Sequence, residues 1–119
     1  PALPASRTDL FGHMILLTEK VSVMRVLLKA SLDTERANDA IRTGKMPQLM
    51  EEALGQLNPE AAYFTLDHGR RTAFLVLDVQ DSSELPKIGE PFFLDFGAEI
   101  DVTPVMNRED LARGLSQLT

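Results

Sequence analysis

AAYFTLDHGRRTAFLVLDV, residues 61–79, is the stretch on which the fold turns. Apolar and polar residues alternate on both sides of Asp67-His68-Gly69-Arg70. Two alternating runs about such a glycine-bearing step predict a β-hairpin. Just upstream, in KMPQLMEEALGQL (45–57), the residues Met46, Leu49, Met50, Ala53, Leu54 and Leu57 recur at steps of three and four. That period belongs to a helix lying on a core, with Pro47 in its first turn and Asn58-Pro59 at its end.

Further upstream, MRVLLKASL (24–32) alternates again and predicts a first strand. Asp33 or Thr34 then caps a helix to about Thr43, which Gly44 terminates. Downstream of the hairpin, Ser82 or Ser83 opens a short helix that Gly89 and Pro91 are expected to end. Pro91, Phe92, Phe93, Leu94 and Phe96 then fold over the edge of the core before AEIDVTPV (98–105) supplies a fourth strand. An Asn107-capped helix over NREDLARGLSQL (107–118) follows, with Glu109 and Asp110 in its first turn.

The order β-α-β-β-α-β with an extra C-terminal helix predicts an α+β, ferredoxin-like domain over residues 24–119. Its four-stranded antiparallel sheet is expected in the order fourth, first, third, second strand. Residues 1–23 read as an N-terminal arm with a short helix from Thr8 to Lys20, either native or, given Gly12-His13-Met14, a remnant of cloning or start-site choice.

Composition narrows the chemistry. An apolar fraction of 44% and a charged fraction of 25% suit a chain that folds around a core. The net charge of −6 argues against a nucleic-acid partner, because binding to phosphates needs a basic footprint. No apolar run reaches the roughly 20 residues of a membrane span. Without cysteine there is no thiolate nucleophile or Cys-based zinc site, and a reducing cytoplasm fits. The seven glycines are scattered, so no phosphate-cradling loop is formed, and no Gly-x-Ser-x-Gly elbow occurs. No cofactor and no metal are expected.

Placed side by side, the alternations put Met24, Val26, Leu28, Ala30, Ala62, Phe64, Leu66, Ala73, Leu75, Leu77, Val79, Ala98, Ile100 and Val102 on the helix-covered face. The opposite face mixes Leu27, Tyr63, Phe74 and Val76 with Arg25, Lys29, Asp67, Asp78, Glu99 and Asp101. An apolar centre rimmed by charge suits contact with a second copy of the sheet. The same cluster suits proton transfer next to a carbonyl, which needs a base and a cation for the developing enolate. Glu99, Asp78 or Asp101 is the candidate base and Lys29, Arg25 or Tyr63 the candidate electrophilic partner, with Glu99, Asp78 and Lys29 placed first as catalytic residues. Arg25, Tyr63 and Asp101, with Phe92 and Phe93 as a lid over the core, are candidates for binding substrate. The alternative readings are an interface salt-bridge network for the charges and a core plug for the phenylalanines.

RTGKMPQL (42–49), LDVQDSSELPKI (77–88) and EIDVTPV (99–105) together resemble muconolactone isomerase and its relatives, over Met24 to about Arg108. Met46 stands where an aromatic residue is expected before the proline. The resemblance implies a dimeric α+β barrel, two ferredoxin-like sheets packed face to face, often within larger homo-oligomers. It also implies a cofactor-free isomerase moving a proton in a small unsaturated lactone or organic acid, or a cofactor-free monooxygenase. The family's catalytic residues do not map onto this chain position by position. A non-catalytic ligand-binding or assembly protein on the same fold is the other expectation.

Overall fold

The hairpin is the spine of the computed structural model, which describes residues 24–119. Its strands are β2 (Ala61–Asp67) and β3 (Arg70–Val79), and their register closes on the pair Asp67 and Arg70. His68 and Gly69 between them have φ of +53° and +77°. Two positive φ values make the tight turn whose twist matches that of the strands it joins. The expected N-terminal arm, its helix and His13 lie outside the described residues.

β1 (Met24–Ser31) pairs antiparallel with β3 on one side and with β4 (Glu99–Pro104) on the other, giving the sheet order β2-β3-β1-β4. Between β1 and β2 lie α1 (Thr34–Arg42) and α2 (Met46–Leu57). The Asp33 carboxylate caps α1 by accepting from the Arg36 amide at 3.0 Å, and Asn58 ends α2 in the left-handed region. After β3, a 3₁₀ turn (Ser82–Glu84) leads into α3 (Leu85–Phe96), and α4 (Arg108–Ser116) follows β4. Among the described residues this is an α+β arrangement with an open four-stranded antiparallel sheet and four helices, compatible with a ferredoxin-like fold.

One element departs from the sequence reading. α3 does not stop at Gly89 and Pro91 but runs through both to Phe96, so the phenylalanines are helical and not an irregular flap. Ile88, Phe92 and Phe96 stand four residues apart on one side of it and are all buried, with Phe92 and Phe96 fully so. A proline inside a helix costs about 3 kcal/mol. Burying an Ile or Phe side chain returns about 1.5–3 kcal/mol each, so three such side chains outweigh the loss. The rings of Phe92 and Phe96 pack on each other, tilted, with centroids 6.2 Å apart. The start differs too: a 3₁₀ turn capped by Asp81, which accepts from the Ser83 amide at 3.1 Å, precedes α3, so the α-helix proper begins only at Leu85.

Gly97 ends α3 at φ +54°, and its amide and that of Ala98 bond back to the carbonyls of Phe93 and Phe92. The Arg36 guanidinium of α1 caps the same helix end by donating to the carbonyls of Phe93 and Leu94. It lies so close that a Cβ on Gly97 would sit 3.0 Å from Arg36 Cδ.

The core is the middle of the expected apolar face: Val26, Leu28, Ala30, Ala73, Leu75 and Leu77 against the α3 stripe and Ala53 of α2. The ends of that face are not covered as expected. Phe64, Leu66 and Val102 are exposed because the helices lie over β1 and β3 and leave the edge strands partly bare, and Met24 is exposed at the outer end of β1. Phe92→Ala should lower the unfolding free energy by about 3–5 kcal/mol in chemical denaturation. Gly97→Ala should lower it by about 1–2 kcal/mol through the left-handed backbone alone, and an unchanged denaturation midpoint would contradict this account of the helix end.

Candidate functional site

The sheet face away from α1, α2 and α3 carries the charged candidates, and strand register sets their spacing. Asp101, Lys29, Phe74 and Tyr63 form one row across β4, β1, β3 and β2. Thr103, Leu27, Val76 and Ala61 form the next row, and Arg25 faces Asp78 one row further on. At the other end Glu99 shares a row with Ser31, Thr72 and Thr65. Leu27, Phe74 and Val76 are half-buried and Tyr63 is exposed, so the centre of this face is an apolar strip.

Ion pairs ring the strip. Lys29 Nζ lies 2.8 Å from Asp67 Oδ2, reaching past β3 to β2, and His68 Nδ1 lies 2.9 Å from the same oxygen. The register places Thr72 between Lys29 and Asp67, and Thr72 is 3% exposed. Arg25 is held by two carboxylates, Glu60 at 2.9 Å and Asp110 at 2.6 Å, the second belonging to α4. Arg70 pairs with Glu99 at 3.4 Å and donates to the carbonyls of Leu32 and Ser31.

These contacts shift titrations in consistent directions. The hydrogen bond to Asp67 raises the Lys29 pKa, and the bonds from Lys29 and then His68 hold the Asp67 carboxyl below its ordinary value. The bond to Glu60 raises Arg25. Asp110 is lowered first by the backbone amide of Asn107, which it caps, and further by Arg113 and Arg25. The Ser83 hydroxyl lowers Asp81.

The structure gathers some expected site residues and separates others. Lys29, Asp101 and Tyr63 share a row, and Arg25 stands opposite Asp78. Glu99 and Asp78 lie six residues apart along the strands, about 20 Å, so these two candidate bases do not flank one point. Phe92 is sealed in the core and serves as its plug, while Phe93 is half exposed on α3, on the far side of the sheet from the charges.

Sequence reading missed the partners. Asp67 has the same alternation phase as Tyr63, so its place on this face was legible, but its reach to Lys29 across an intervening strand was not. Asp110 was visible as a helix-capping acid; its contact with Arg25 depends on where α4 folds back. Among the described residues, no group of three or more His, Cys, Asp or Glu side chains is arranged to hold a metal. None of the described helices is long and apolar enough to cross a membrane.

Two apolar troughs open on the helix side, where the edge strands are bare. One, about 460 Å³, is lined by Met24, Val26, Val79, Leu85, Val102 and Pro104, with Gln80, Asp81 and Ser82 at its polar end. Asp81 is occupied as the cap of the 3₁₀ turn and held ionised, which leaves it a weak base. The other, about 370 Å³, lies beside β2 and includes Ile41, Met46, Met50, Phe64 and Leu66.

No family model matches this chain, and no curated protein matches it.

Because the folded protein holds Asp67 below its ordinary value of 3.8, the pair with Lys29 contributes stability above that value, lost as pH falls through the lower, folded one. Asp67→Asn should therefore reduce the melting temperature near neutrality and flatten its decline on acidification. An acid limb identical to that of the unaltered protein would show the pair to be energetically silent.

Proposed function

We propose that the protein is a cofactor-independent homodimer in which two open sheet faces close on each other around a small unsaturated lactone or organic acid. The observation that carries this reading is the apolar strip of Leu27, Phe74, Val76 and Tyr63, left uncovered by the helices and ringed by ion pairs. An apolar centre with a charged rim is the anatomy of a protein interface. Its resemblance to muconolactone isomerase supports the dimeric α+β barrel and the choice of ligand.

Within that space Lys29 is the cation for a ligand carboxylate or a developing enolate; it stands opposite Asp101, with Tyr63 two strands away in the same row. Asp101, directly opposite Lys29 in the register, or a carboxylate of the second copy is the base for an isomerase. Deprotonation of the carbon next to the carbonyl and return of that proton to another carbon would complete the isomerisation without an external oxidant or reductant.

A second reading, binding or assembly without catalysis, is favoured by the engagement of Lys29 with Asp67 and of Arg25 with Glu60 and Asp110, which leaves neither cation free. Thermal-shift titration with small unsaturated lactones and dicarboxylic acids separates the two readings when joined to proton exchange followed by NMR in D₂O. The isomerase reading expects a saturable upward shift with one chemical class, reduced in Lys29→Met, and deuterium uptake next to the carbonyl. A shift without uptake supports binding alone. Silence across the panel, with Lys29→Met melting like the parent, contradicts a ligand site on this face.

A further inference from the structure

Among the described residues β2 is an edge strand, and no proline, lysine or covering segment guards its outer edge. Its sequence, AAYFTLD, holds no proline and no lysine, and its one charge, Asp67, sits at the end by the turn. Natural edges are commonly guarded by charge, proline, a bulge or a covering segment. Here Tyr63, Phe64 and Leu66 are instead 69%, 54% and 77% exposed.

The backbone can be placed as well. In a two-residue hairpin the pair that closes the turn, Asp67 and Arg70, exchanges its hydrogen bonds. Thr65 and Tyr63, in phase with Asp67, then also bond to β3. Ala62, Phe64 and Leu66 are left with their N–H and C=O groups pointing outward, and the side chains of Phe64 and Leu66 line the trough beside β2.

We infer that this edge pairs antiparallel with β2 of a second copy, about a two-fold axis at Phe64, joining two four-stranded sheets into one of eight strands. This surface is distinct from the open sheet face and does not depend on it. The axis at Phe64 overlaps all seven residues of the strand, sets Ala62 opposite Leu66, and uses every outward backbone group in turn. Charges are compatible across it: Asp67 comes opposite Ala61 and Glu60 opposite His68, so no like charges face each other. The troughs of the two copies become continuous, with the Phe64 rings meeting at the centre. Such a contact presents the same patch on both copies, as a closed two-fold interface requires. A face-to-face contact and an edge contact on the same chain together build an assembly larger than a dimer.

The absence of native cysteine makes the test direct. A hydrogen-bonded antiparallel pair has its Cα atoms about 5.5 Å apart, within the range a disulfide spans. Phe64→Cys should therefore give a covalent dimer under mild oxidation, and Glu35→Cys on α1 should not. Phe64→Lys places two ammonium groups on the axis and should halve the mass of the assembly in sedimentation velocity with an unchanged circular dichroism spectrum. In the unaltered protein the amides of Ala62, Phe64 and Leu66 should exchange slowly with solvent, and quickly in Phe64→Lys. Folded Phe64→Cys that stays monomeric on a non-reducing gel overturns the inference, as does Phe64→Lys of undiminished mass. Slow exchange at these amides without cross-linking assigns the edge to another segment or partner and overturns it too. Phe74→Asp on the open face should leave an edge-paired dimer in which Phe64→Cys still cross-links, which separates the two surfaces; a Phe74→Asp monomer that no longer cross-links through Phe64→Cys overturns the inference.

Discussion

The packing of Ile88, Phe92 and Phe96 against β1 and β3 is the constraint from which the rest follows. It draws α3 onto the same side of the sheet as α1 and α2, and it is strong enough to carry a helix through Pro91. With α1, α2 and α3 committed to one face, the other face has no helix layer over its centre among the described residues. Arg36 and Gly97 lock this arrangement, because the α3 terminus is closed by a side chain of α1 and by a left-handed turn at Gly97, where a Cβ would crowd Arg36. The two helices are thus tied to each other as well as to the sheet.

The uncovered surface is organised and not merely solvated. Rows fixed by register bring an apolar strip to its centre and place carboxylates where the long side chains of Lys29 and Arg25 can reach them. Exposed ion pairs are individually worth little. Their effect here is geometric: they tie the long side chains of Lys29 and Arg25 to the rim around the apolar strip. α4 joins this rim through Asp110, and its own Leu111 and Leu115 are exposed, a second sign that the described residues carry more apolar surface than they bury among themselves.

Much of this was legible in the sequence because it rests on local rules. Alternation in 24–32 and 61–79 fixed the strands and the faces of their residues, and Asp33, Asn58, Gly69 and Asn107 stood at the caps and turns that their chemistry favours. Pro91 misled because a local breaker was weighed without the tertiary burial of Phe92 and Phe96. The ends of the apolar face misled because alternation reports which side a residue is on, not how far a helix layer extends over it. The partners of Lys29 and Arg25 were hidden for a related reason: they depend on diagonal reach across a strand and on the return path of α4, neither of which has a sequence period.

The account stands or falls on whether the open face is covered in solution. Sedimentation equilibrium at micromolar concentration, on the unaltered protein and on Phe74→Asp, measures this most directly. Phe74 is at the middle of the strip and only half-buried, so the substitution leaves the core intact. The account predicts an even-numbered oligomer for the unaltered protein and a smaller, still folded species for the variant. A folded monomer in both samples would contradict it.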